Sequence, residues 1–141
     1  MKKAIYIGIF LNDASVDKLE RHSNGTHLCN KIRNQHVTLM FRPTTADIEE
    51  ISDWIGQEAT MLVTGYGKDE NNEGYSVELS PFLSTFCWSK VPHITTYISE
   101  KGRPVDTGML EFREFDKEEQ FCVRGDIGIF YDTGISFEIE N

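Results

Sequence analysis

Two apolar, β-branched runs repeat one short pattern far apart in the chain: Gln35-His36-Val37-Thr38-Leu39-Met40-Phe41 and Pro92-His93-Ile94-Thr95-Thr96-Tyr97-Ile98. Such residues fit a pleated, half-buried surface, and successive side chains of a strand point to opposite faces. His36 and Thr38 therefore share one face of the first strand, and His93 and Thr95 share one face of the second. A single His on a strand is more often structural than catalytic. Its recurrence, with Thr at the same offset and an apolar residue between, reverses that weighting. Each run offers an imidazole beside a hydroxyl. Two imidazoles of near-neutral pKa divide acid and base work in one reaction, and two hydroxyls can donate to the non-bridging oxygens of one phosphate.

Size and charge limit what such a pair can act on. At 141 residues the chain is a single domain, 1–141, with room for one substantial core. Its formal charge is −9, from 14 basic against 23 acidic side chains, which repels duplex DNA and anionic membranes. Residues 18–33 run the other way, with Lys18, Arg21, Lys31 and Arg33 against Glu20. A local basic stretch on an acidic protein suits a small phosphate-bearing ligand as well as it suits a solvated loop. Cys29, Cys87 and Cys122 are odd in number and widely spaced, without metal-ligand spacing, and read as reduced thiols in a cytoplasmic protein. No metal or cofactor is expected. The apolar run at 4–11 is too short for a membrane span, lacks a cleavage signature and reads as a buried first strand.

Along the chain, a short helix is expected over 13–21, stopped by Ser23-Asn24-Gly25-Thr26, then a strand over 35–42. Ile48, Ile51, Trp54 and Ile55 at helical spacing, with Thr44 or Thr45 as cap, predict a helix over 46–55. Strands over 61–67 and 74–79 are joined through 68–73. Asp69, Glu70 and Glu73 in that link match no calcium-loop pattern and read as a hairpin tip. Residues 81–90 read as a short strand or turn, and His22 and His27 as exposed loop residues. Tyr66 and Tyr75 read as packed in the core or on a sheet face. Gly125-Asp126 and Asp132-Thr133-Gly134 are turn signals that cut the C-terminal part into a meander of strands over 120–124, 127–131 and 135–139. The doubled motif predicts two lobes related by a pseudo-twofold axis. The expected class is α+β, with antiparallel sheets and few helices around a central cleft.

The two His-x-Thr tetrapeptides, 57 positions apart, resemble the paired signature of the 2H phosphoesterase superfamily. Pro92-His93-Ile94-Thr95, followed by Gly102-Arg103-Pro104-Val105 and Asp106-Thr107-Gly108-Met109-Leu110, is similar to the cyclic phosphodiesterase domain of fungal and plant tRNA ligases and their RNA-repair relatives. The resemblance covers roughly residues 3–112, although its specific part is the two tetrapeptides and the tail after the second. Where that family often carries a longer helix after the first strand, this chain has the polar Ser23-Asn24-Gly25. The resemblance implies a two-lobed fold and a metal-independent hydrolysis of a 2′,3′-cyclic phosphate on a small nucleotide or short RNA end. His36 and His93 would be the acid–base pair, and Thr38, Thr95, Tyr97 and Arg103 the substrate contacts. A sister activity with the same four motif residues, in phage proteins that cleave cyclic oligonucleotide signals, fits the same pattern. A module that holds a nucleotide without turnover is the reading from a different class.

Overall fold

In the computed structural model, residues 2–23 and 25–140 are described. Asn24, inside the predicted stop after the first helix, lies outside them. The chain runs β1 (Ala4–Leu11), α1 (Asp13–His22), β2 (Asn30–Lys31), β3 (His36–Phe41), α2 (Thr45–Ile51), β4 (Glu58–Lys68) and β5 (Asn72–Glu78). It continues through α3 (Pro81–Phe86), β6 (His93–Ile98), a 3₁₀ segment Pro104–Met109, β7 (Arg113–Glu114), β8 (Phe121–Tyr131) and β9 (Gly134–Ser136).

Local chemistry accounts for the helices. Asn12 caps α1 by accepting from the Ser15 amide. Thr44 and Asp47 form a reciprocal capping box at α2, which then tightens into a 3₁₀ turn at Ser52–Trp54. Residues 81–86, expected as strand or turn, form α3, with Pro81 in the first turn, where its missing amide proton costs nothing.

The strands close on themselves. Following hydrogen-bonded neighbours, β4 pairs β5, then come β6, β3, β1 and β8, and β8 returns to β4. The result is a six-stranded antiparallel barrel, with β2, β7 and β9 as short additions. This corrects the two-lobed α+β expectation: the strands of the described residues form one sheet that closes on itself, not two sheets flanking an open cleft.

Closure depends on two long strands that each change partner along their length. The first part of β4, through Val63, pairs β8; from Leu62 onward the strand pairs β5, with a shift between Val63 and Gly65, and Gly65 and Tyr66 pair β7. The early part of β8 pairs β4, and from Gly125 onward it pairs β1. Gly125-Asp126 is therefore no turn but the middle of an 11-residue strand. Glycine is needed there for close approach, because a Cβ on Gly125 would lie 2.5 Å from the Phe10 carbonyl oxygen. Gly125→Ala is expected to destabilise the fold by about 1–3 kcal/mol, read from urea or thermal unfolding. An unchanged midpoint would mean that the strands part without cost at this crossing.

Ile7, Ile9, Val37, Leu39, Met61, Val63, Tyr75, Ile94, Val123, Ile127 and Ile129 are buried together in the barrel core, which Leu19 of α1, Ile51 of α2 and Leu83 of α3 extend. Among the described residues, no helix is long and apolar enough to cross a membrane.

Candidate active site

The two motifs meet at the β3–β6 pairing. Val37 pairs with Ile94 in antiparallel register, and both are fully buried in the core. Alternation then turns His36, Thr38, His93 and Thr95 to the outer face of the barrel. The same register sets Thr38 opposite His93 and His36 opposite Thr95, so the two histidines are diagonal neighbours, their Cα atoms about 7–8 Å apart by strand geometry. Burial lowers the His36 pKa, and the charge of His93 adds to that lowering.

Both rings are fixed by the same device. His36 Nδ1 lies 2.7 Å from the Asn34 carbonyl, and His93 Nδ1 lies 2.8 Å from the Val91 carbonyl, each two residues upstream. A carbonyl only accepts, so each Nδ1 carries the proton and each Nε2 is left for chemistry. His36 Nε2 lies 3.2 Å from Thr38 Oγ1, whose hydroxyl donates to it in the resting arrangement. Aromatic rings flank His36: Tyr6 stacks at 4.7 Å between centroids, and Phe10 lies at 5.5 Å. Burial is the leading cause that lowers the His36 pKa, against the Asn34 carbonyl, which favours the charged ring. Burial likewise lowers that of His93, opposed by the carbonyls of Val91 and Pro104. Gly108 of the 3₁₀ segment lies against the Nδ1–Cε1 edge of His93, where a Cβ would be 2.9 Å from Cε1 and 3.1 Å from Nδ1.

The expected substrate contacts divide. Thr38 stands beside His36. Thr95 is only 7 % exposed, and its Oγ1 lies 3.0 Å from the Pro104 carbonyl and 2.8 Å from Thr107 Oγ1, so its proton is already engaged. Arg103 sits at the start of the 3₁₀ segment, largely exposed, with its guanidinium on the Asp106 carboxylate at 3.1 and 3.2 Å. Tyr97 is carried away from the motif face. The β5–β6 register runs Gly74 to Thr95 and then Glu73 to Tyr97, which leaves Thr96 as an extra residue. That bulge turns Tyr97 to the Glu73 side. There it stacks on His27 at 4.2 Å between centroids.

Glu73, expected at a hairpin tip, lies in β5 with no exposure at all. It accepts from Tyr66 Oη at 2.7 Å, His27 Nδ1 at 2.6 Å and the Leu28 amide at 3.1 Å. His22 is also drawn in, between Tyr75 Oη and Glu119, and the Arg113 guanidinium holds the Glu119 carboxyl down to about 2. Neither His is the exposed loop residue that its polar surroundings predicted.

A cavity of about 600 Å³ adjoins the second motif, lined in part by Lys90, Val91, Pro92 and Ser76, the residue across from His93 in the β5–β6 register. Its volume falls in the range that takes a small organic ligand. Compared with known protein families and with curated proteins, the chain matches none.

Proposed function

We propose that the protein is a phosphodiesterase of the 2H type that opens a 2′,3′-cyclic phosphate on a small nucleotide or short RNA end. The observation that carries this reading is the shared outer face of β3 and β6, where two imidazoles, each anchored through Nδ1 to a carbonyl two residues upstream, stand diagonally across one strand pair. A phosphodiester lying between them has its attacking and leaving oxygens on opposite sides, as in-line displacement requires. The cavity beside Pro92 supplies room for the attached nucleoside. Three thiols without disulfide partners fit a cytoplasmic setting.

In this scheme His36 is the base. Its Nε2 accepts from Thr38 and its flanks are aromatic, so the neutral ring is favoured there. It takes a proton from water as the water oxygen bonds to phosphorus. The bond from phosphorus to one ribose oxygen breaks, and His93 Nε2 gives that oxygen its proton, leaving a phosphomonoester and a free hydroxyl. Thr38 turns its hydroxyl to a non-bridging oxygen.

The test is incubation of the purified protein with 2′,3′-cyclic mononucleotides, cyclic-phosphate-ended RNA and cyclic dinucleotides, with product position assigned by phosphorus NMR. Cleavage of the cyclic phosphates is expected. Binding without cleavage would leave a nucleotide-binding module instead.

The pH dependence has a definite sign. Activity needs His36 neutral and His93 charged, and both pKa values are lowered. The profile of kcat/KM is therefore a bell lying on the acid side of the ordinary imidazole value of about 6.5. A bound phosphate anion favours the charged His93, so the alkaline limb of kcat lies higher than that of kcat/KM. A monotonic profile would sink the two-imidazole scheme.

A further inference from the structure

In the resemblance the two Thr residues have equal roles, yet here they differ. A hydroxyl carries one proton, and Thr95 Oγ1 has two partners, the Pro104 carbonyl and Thr107 Oγ1. Both accept from Thr95, whose one proton is shared between the Pro104 carbonyl and Thr107 Oγ1. Thr107, fully buried, then accepts from Asn72 Nδ2 at 3.0 Å, and the same Asn72 amide donates to the Arg103 carbonyl at 2.6 Å. The Thr95 proton and both protons of the Asn72 amide are thereby used. Nothing is left on Thr95 for a phosphate oxygen unless the chain breaks.

What the chain of bonds holds is the 3₁₀ segment Pro104–Met109. Asn72 belongs to β5 and Thr95 to β6, so two neighbouring barrel strands grip the segment at Arg103, Pro104 and Thr107. Gly74, between them, has no room for a side chain: a Cβ there would lie 2.8 Å from Thr107 Cγ2. The next residue after Thr107 is Gly108, whose Cα faces the edge of the His93 ring.

We infer that Thr95, Thr107 and Asn72 form a buried latch that seats Gly108 against His93, making Thr95 a positioning residue for the imidazole rather than a phosphate ligand. This rests on the phosphodiesterase reading for its consequence in catalysis, but not for its geometry. With the Val91 carbonyl on Nδ1 and Gly108 packed against the Nδ1–Cε1 edge, the ring is held in one orientation. A released segment lets it turn and lets water in.

The experiment compares Thr95→Val, Thr95→Ser, Thr107→Val and Gly108→Ala. Two readouts are taken: the His93 titration followed by proton–carbon NMR of the ring, and the separate kcat and KM for a 2′,3′-cyclic mononucleotide. Thr95→Val and Thr107→Val are expected to raise the His93 pKa, since loss of the cover readmits water, and to lower kcat about tenfold or more with KM within about threefold. Gly108→Ala reproduces the kcat loss by pushing the ring directly. Thr95→Ser keeps the hydroxyl and stays close to the parent in both readouts. Should Thr95→Val raise KM at constant kcat while Thr107→Val changes nothing, Thr95 is a phosphate contact and the latch is overturned. Should the parent protein cleave no cyclic phosphate, the phosphodiesterase reading fails by itself, and the His93 titrations still decide the latch. Circular dichroism of Thr107→Ser, which keeps the buried bond, separates loss of folding from loss of positioning.

Discussion

Replacing His36 with Ala lowers turnover of a 2′,3′-cyclic nucleotide by about two to four decades, and His93→Ala does the same. Each substitution removes a proton carrier that acts only as bonds to phosphorus form and break, so kcat falls while KM changes little. The double variant costs scarcely more than either single one, because a base without its acid, or an acid without its base, already lacks the concerted path. Thr38→Ala costs about two decades or less, the usual worth of one hydrogen-bond donor to a developing charge. The barrel tolerates these changes. Val37 and Ile94 hold the β3–β6 pair from inside the core, and the imidazoles stand on the opposite face, so melting should shift by only a few degrees, about 1 kcal/mol. Turnover within tenfold of the parent in either His variant would make the ring structural and end the acid–base assignment.

Much of that face was legible because strand alternation is a local rule. Period two sets His and Thr on one side whatever the strands pair with, and the apolar residue between them marks the buried side. The strand β1 was equally plain, being an apolar run with no competing pattern. What a local rule cannot supply is which strands become neighbours. Gly125-Asp126 carries a strong turn signature, yet the backbone runs straight through it. The glycine serves the place where β8 leaves β4 for β1, a demand made by strands more than 60 residues away in sequence. With β8 read as two strands, its passage from β4 to β1, and with it the closure of the barrel, was invisible.

The periphery of the site was obscured for a related reason. One extra residue at Thr96 shifts the β5–β6 register, and everything beyond it changes sides, so Tyr97 could not be placed by counting in twos from His93. Gly108, Thr107 and Asn72 carry no chemistry that singles them out in a sequence. They matter because two strands bring them to the edge of His93. Tyr6 and Phe10 are likewise ordinary members of an apolar strand until β1 pairs with β3 and sets both against His36.

Glu73→Ala is expected to destabilise the protein by about 3 kcal/mol or more, lowering the melting temperature by roughly 10 °C. A carboxylate with no exposure persists only if its lone pairs are filled, and Glu73 fills them from Tyr66 of β4 and from the adjacent His27 and Leu28. Truncation orphans all three donors at once and leaves a void beneath the Thr96 bulge. The Leu28 amide is the most costly of them, being backbone that cannot turn away, whereas the Tyr66 and His27 side chains can rotate toward water. Glu73→Gln retains the volume and one acceptor, and falls between parent and Ala. Tyr66→Phe removes a single donor and costs about 1 kcal/mol. The expected order in urea midpoint is therefore Tyr66→Phe, Glu73→Gln, Glu73→Ala, from mildest to worst. If Glu73→Ala unfolds within about 0.5 kcal/mol of the parent, the polar cluster at this end of the barrel contributes nothing to holding it shut, and the fold is carried by its apolar core alone.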